Sequence, residues 1–339
     1  MKTVITGGAG FVGSSAARRF LQQGHEVVVI DNFSRRGSRN NVEWLKRQGR
    51  LEVYEIDLRD RLAVCSIFKE HTDAGLILHL AAQVAVTTSV ADPVLDFEVN
   101  AIGTFNLLEA VRVAGIRAPL IYSSTNKVYG EMTDLEIAEV DGRYRYASLP
   151  NGISEERMLD FHSPYGCSKG AADQYVRDYH RIFGLNTVVM RQSCIYGPRQ
   201  FGIEDQGWVA WFMIAAECKK PITIYGDGRQ VRDILYVEDL LDAFEAAAAN
   251  IKSVAGKVFN LGGGPYNAVS LLDVLGVIQE CSEAPIPLSY ADARPGDQLV
   301  YISDIRLAQR ALGWKPKIQW RAGLNKLQAW VREHRKELA

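Results

Sequence analysis

The chain carries almost no net charge. Its 39 lysines and arginines balance 40 acidic residues, leaving a formal charge of −1. No overall basic field is present to draw nucleic acid or an anionic membrane surface, and neither is expected as a partner. Long apolar runs are missing too: none approaches the roughly 20 residues of a membrane span. Met1-Lys-Thr-Val-Ile5 enters a strand pattern at once, without the apolar stretch of a secretory leader. Cysteine is scarce. Cys65, Cys167, Cys194, Cys218 and Cys281 are scattered and odd in number, with no Cys-x-x-Cys pair. That spacing favours neither a zinc site nor a disulfide framework and reads as reduced thiols in a cytoplasmic protein. What remains is 339 residues, 47% hydrophobic and 23% charged. Such a chain has room for one large globular domain or two modest ones.

Residues 2–6 read as a short buried strand. Gly7-Gly-Ala-Gly10-Phe11-Val12-Gly13 follows, then a helix predicted over 14–23 and a second apolar strand over 27–30, ending in Asp31. Gly7 permits the tight turn, Gly10 lets backbone approach a pyrophosphate, and Gly13 lets helix and strand pack closely. The first N–H groups of the helix lack intrahelical acceptors and sit at its positive end, which suits phosphate. Asp31 is placed to accept hydrogen bonds from ribose hydroxyls, and its carboxylate repels a 2′-phosphate, which favours NAD. Arg35 and Arg36 keep NADP open, since a guanidinium nearby could take that phosphate.

The alternation continues. Residues 51–56 read as a strand ending at Asp57, a candidate adenine contact. Residues 76–80 run into Ala81-Ala82-Gln83, and 119–122 precede Ser123. A strand over 188–191 follows, then an apparent return to the sheet at 259–262 and a helix over 270–280. Strands alternating with helices imply an α/β fold with a Rossmann-type doubly wound parallel sheet. Ligands of such sheets lie beyond the carboxyl ends of the strands, where Gly7, Asp31, Asp57, Ala81 and Ser123 all fall. After about residue 190 the pattern loosens. The expected division is a dinucleotide-binding domain over 1–190, with 231–263 returning to it. Residues 191–230 and 264–339 then form a smaller, discontinuous C-terminal substrate domain.

Tyr165 stands four residues before Lys169, in His162-Ser-Pro-Tyr-Gly-Cys-Ser-Lys169. Residues four apart share one helix face. A phenol with a pKa of about 10 is a poor base near neutrality, and a nearby cation lowers that value. The pair thus reads as an activated phenol beside a dinucleotide.

The glycine loop, the Leu80-Ala81-Ala82 corner and Tyr165-x-x-x-Lys169 together resemble the extended short-chain dehydrogenase/reductase family. The resemblance extends to Tyr196-Gly-Pro-Arg199 and to the run from Arg232-Asp233 to Glu238-Asp239, typical of the branch that modifies nucleotide sugars. It implies a nucleotide-sugar substrate, a homo-oligomer (dimer or tetramer) paired through helices around 100–114 and 173–183, and Tyr165, Lys169 and Thr125 as the catalytic set. Thr125 matches the position of a hydroxyl that bonds the reacting sugar oxygen, with Ser124 as the substitute. Implied cofactor contacts also include Phe11, Val12, Asn32, Leu58, Leu80, Ala82, Gln83, Asn100 and Ser123, beside the catalytic Tyr165 and Lys169. Implied substrate contacts are Ser124, Thr125, Asn126, Gln206, Trp208, Val209, Arg232 and Arg294. The two arginines are suited to phosphate because a guanidinium is a planar fork.

Dehydratases of the family place Asp-Glu directly after the threonine. Here the residues are Asn126 and Lys127, and an amide is no general acid. Epimerisation is expected instead. The runs 123–130, 150–152, 159–175 and 205–208 resemble the branch that inverts C2 of a CDP-hexose, as in the conversion of CDP-paratose to CDP-tyvelose. CDP-glucose 2-epimerisation and UDP-sugar 4-epimerisation stay open, as does, in another class, a non-catalytic NAD- or RNA-binding relative.

Overall fold

The computed structural model describes residues 1–282, 285–294 and 297–338. Short runs rich in valine, isoleucine and leucine form the strands, most of them buried on both faces as parallel sheets require. The first five are β1 (Lys2–Thr6), β2 (Glu26–Asp31), β3 (Leu51–Glu55), β4 (Ala74–His79) and β5 (Leu120–Thr125). With Thr187–Gln192 and Val258–Leu261 they make one seven-stranded parallel sheet. Its order is Val258–Leu261, Thr187–Gln192, β5, β4, β1, β2, β3. Chain direction across the sheet reverses at β1, whose Thr6 is level with Ile30 on one side and His79 on the other. A crevice at that switch point is where such sheets bind ligands.

Alternation along each strand sends neighbours to opposite faces. Ile5, Val29 and Leu78 join Phe20, Phe244 and Phe259 in one core, while Val4, Val28 and Ile77 join Phe68, Leu107 and Tyr122 in another. Helix α1 (Phe11–Gln22) packs Ala16, Ala17, Phe20 and Leu21 onto the first of these. It begins three residues before the expected 14–23. Gly10 caps it with extended backbone, so Phe11-Val12-Gly13 already form its first turn.

A third core lies in the small lobe, where the apolar helix Trp208–Glu217 meets Leu271–Glu280 and Trp320–Glu333. The expected boundary shifts here. Val231–Tyr236 does not return to the large sheet. It is the centre of the small one, antiparallel to Ala268–Ser270 and parallel to Val300–Tyr301 and Cys194–Tyr196. The return is made by helix Val237–Ala249 and strand Val258–Leu261. Residues assigned to the small lobe also reach back: Ala308, Leu312 and Trp314 bury themselves with Phe244 in the first core. All five cysteines are free. Among the described residues no helix is long and apolar enough to cross a membrane, and no cluster suited to a metal ion occurs.

Candidate active site

The glycine loop closes tightly over β1. Gly7 has a φ of 68°, and a Cβ there would stand 2.6 Å from the Ala81 nitrogen. A Cβ on Gly13 would press on the Gly7 carbonyl and lie 2.7 Å from the Gly8 Cα. Gly10 N donates to Gly7 O at 3.1 Å, and Ser14 N donates to Gly10 O at 2.8 Å. The N–H groups of Phe11, Val12 and Gly13 open α1. Asp31 stands across the loop, accepting from Ala9 N at 3.0 Å and Phe33 N at 2.8 Å. Burial pushes its carboxyl up, against those backbone bonds. Asn32 donates to Asp57 at 2.9 Å. Although burial acts upward on Asp57, the Arg59 guanidinium holds it down at about 2. Leu58 is buried beside Gly103. Leu80 N donates to Thr6 O at 3.1 Å, which brings Ala81 and Ala82 to the rim of the loop.

Arg35 carries more weight than its sequence reading gave it. Its Nη2 is buried with no hydrogen-bond partner, and its charge is felt at the Tyr165 phenol. A buried, unpartnered guanidinium nitrogen whose charge reaches the Tyr165 phenol is suited to an anionic group.

The helix Ser163–Phe183 carries Pro164 in its first turn and brings Tyr165 and Lys169 to one buried face. Burial pushes the Tyr165 phenol up to about 12; a hydrogen bond with Thr125 and the charge of Arg35 act downward, Asp96 upward. Lys169 Nζ donates to Ser123 O at 2.7 Å and lies 4.4 Å from the centre of the Tyr122 ring. Burial lowers its pKa to about 7, with Asp173 and Asp96 opposing. The downward pull on the tyrosine in the protein alone comes from Thr125 and Arg35.

Strand alternation separates the Ser124 and Thr125 hydroxyls on β5. Thr125 faces Tyr165, whereas Ser124 donates to Asp173 at 2.9 Å, beneath the helix of Tyr165. Ser124 is thus corrected from substrate contact to internal support. Gln83 and Asn100 are likewise turned inward. Gln83 Nε2 donates to Asp96 at 2.8 Å, and Asn100 donates to Asp96 at 3.1 Å and to Ser168 at 3.0 Å. Ser168 completes the set with a short bond to Asp96. These side chains back the helix Ser163–Phe183, which leaves the backbone of Gln83 and Asn100 for a cofactor. Asp96, Ser168 and Asp173 escape sequence reasoning; Ser168 and Asp173 share the helix of Tyr165, whereas Asp96 comes from the separate helix Pro93–Phe97 and carries no local signal.

Across the crevice, Asn126 Nδ2 donates to Gln298 at 3.1 Å, and Gln298 donates to Gly130 O at 2.6 Å. Lys127 Nζ lies 3.5 Å from Asp297, and the buried Arg232 bonds the same Asp297 oxygen at 2.7 Å. Burial and Arg232 lower Lys127, while Asp297 opposes them. Arg294 sits over the Tyr225 ring at 3.9 Å and pairs with Asp205 at 2.9 Å. Gln206 lies in a tight turn with Ile203, and Trp208 donates to Cys194 at 3.5 Å. Val209 is corrected: its side chain packs into the small-lobe core, leaving only its N–H, in the first helical turn, to meet a ligand.

Residues 4–327 match the family model described as GDP-mannose 4,6 dehydratase. The chain belongs to that family. Among its relatives is the CDP-paratose 2-epimerase of Salmonella typhi, 45% identical over 98% of this chain and 99% of the relative. Among solved structures, the UDP-glucose 4-epimerase of Thermus thermophilus in complex with NAD is 34% identical over 98% and 99% of the two chains, with a TM-score of 0.82. A dTDP-glucose 4,6-dehydratase of Streptomyces venezuelae with NAD bound is 27% identical over 99% and 98%, with a TM-score of 0.85. As a member of the family, this chain lacks the dehydratase acid–base pair and carries Asn126 and Lys127 in its place.

Proposed function

We propose that this protein is an NAD-dependent nucleotide-sugar epimerase that inverts C2 of a CDP-hexose, as in the conversion of CDP-paratose to CDP-tyvelose. One observation carries the reading: a buried Tyr165–Thr125 pair faces the dinucleotide crevice with Asn126 and Lys127 beside it. The relation to the Salmonella typhi 2-epimerase supports the carbon and the base.

C2 of such a sugar adjoins an acetal carbon and no carbonyl, so its C–H is not acidic and simple deprotonation cannot invert it. NAD, when bound, supplies a reversible two-electron oxidation at C2 and a positively charged ring. Residues 1–190 hold it. The turn through Gly7, Gly10 and Gly13 takes the pyrophosphate with Arg35, Asp31 takes the ribose hydroxyls, and Asp57 and Leu58 flank the adenine. Tyr165 accepts the C2 hydroxyl proton and later returns it; the same two electrons would go to NAD and come back, so no net redox change would occur. Thr125 orients the same oxygen, and Lys169 holds the cofactor ribose. Arg232 and Arg294 bind the diphosphate from the small lobe, with Gln206, Trp208 and the Val209 N–H beside them. Lys127 and Asn126 line the sugar pocket without acid–base duty.

Two copies pair in this reading through an apolar surface on the helices Gly103–Val113 and Ser163–Phe183, where Val113, Ile182 and Phe183 are exposed.

The test is incubation with CDP-, UDP- and GDP-hexoses in deuterium oxide, with products followed by NMR. Inversion at C2 of a CDP-sugar without deuterium at C2 is expected. Deuterium at C2 would defeat the redox route, and inversion only at C4 of a UDP-sugar would replace the substrate assignment.

A further inference from the structure

A cavity of about 480 Å3 lies beside the edge strand of the large sheet, and none of its lining residues belongs to the crevice described above. Arg157, Arg177, Arg191 and Lys257 line it against a single carboxylate, Glu155. That carboxylate is occupied, accepting from Asn260 N at 2.7 Å. Arg191 is bound to Asp173 and Tyr129 and forms a fixed cationic floor. Arg157 pairs with Asp134 through Nη2, outside the cavity lining, but its Nε and that of Arg177 are buried and have no hydrogen-bond partner. Arg177 otherwise donates to the neutral Gln174 at 3.2 Å. Burial, then the charges of Arg181 and Arg191, depress the Arg177 pKa, with Asp173 opposing them.

Unmet N–H groups and crowded cations both cost free energy that an anion would recover. Met158, Leu159, Val258 and Leu307 supply an apolar wall to the same space. The volume falls within the range of about 300–1,000 Å3 usual for small-molecule sites. We propose that this cavity is a second, non-catalytic site for a small phosphate monoester. The phosphate lies between the Arg177 guanidinium and the open Nε of Arg157, and the organic part lies on the apolar wall. The site is independent of the catalytic assignment.

Calorimetric titration with ribose 5-phosphate tests it, at fixed ionic strength and with NAD and CDP saturating the crevice. One saturable site per chain is expected, with affinity at least tenfold weaker in Arg177→Gln and in Arg157→Gln. Arg177→Gln should keep wild-type turnover and melting temperature. The exposed Lys257→Gln serves as a further variant, expected to weaken binding several-fold without touching the fold. No saturable heat in the wild type, or an affinity unchanged in all three variants, would overturn the proposal.

Discussion

Tyr165 meets its first test in a single oxygen. Replacing it with phenylalanine keeps the ring and its packing but removes the proton acceptor. Turnover should fall by about 10²–10⁴, the usual worth of a general base, while NAD affinity, read by fluorescence titration, stays within threefold. His79 offers a second measurement. It is fully buried, its two ring nitrogens bonded to Thr6 at 2.7 Å and Thr104 at 2.8 Å. Burial, then the charge of Lys169, lowers its pKa to about 3. The native state thus refuses a proton that the unfolded chain accepts below about 6.5. Stability from this residue is present above that pH and is lost as pH falls toward 3, by an amount on the order of 4–5 kcal/mol. Asp233, raised to about 6 by burial against its hydrogen bonds, slopes the other way. Urea unfolding of wild type and His79→Asn across that range isolates the histidine term, and the difference between them should track it. At this scale the sequence showed the residues whose type announces chemistry: Tyr165, Lys169, Thr125, Asp31. It could not show where Lys169 spends its charge, because the Ser123 carbonyl and Tyr122 ring reach it only through folding.

Among elements, the glycine loop and α1 act as one piece. Gly13→Ala would drive a methyl into the Gly7 carbonyl, with backbone on every side. A loss of about 1–3 kcal/mol is expected from such overpacking, together with most NAD affinity. Thermal denaturation with and without NAD checks both, and a variant that kept its ligand-induced shift would refute the expected geometry. The strand–loop–helix–strand unit was legible because glycine spacing and apolar runs are local signals. Val231–Tyr236 was misplaced for the opposite reason. All six of its residues are buried, so its pattern looks alike in either sheet, and only pairing with Ala268–Ser270, Val300–Tyr301 and Cys194–Tyr196 decides.

Taken whole, the chain is folded back on itself. Phe244, Phe259, Leu312 and Trp314, distant in sequence, complete the core that β1 and α1 begin. Residues 1–190 expressed alone should therefore fail to melt cooperatively by circular dichroism, despite containing the glycine loop and Tyr165; a sharp transition there would show that the dinucleotide half folds independently. Arg19 adds a polar tie, joining α1 to Asp242 at 2.7 Å and Glu245 at 2.8 Å on helix Val237–Ala249. The clasp across the crevice, Asn126 to Gln298 to Gly130 with Lys127 at Asp297, bears on engineering. Its two halves come from stretches about 170 positions apart in the chain. A chimaera that imports another enzyme's small lobe to recognise a new nucleotide would strand Asn126 and Lys127 opposite foreign side chains. Specificity can be transplanted here only as a matched pair, residues 126–130 travelling with 297–298.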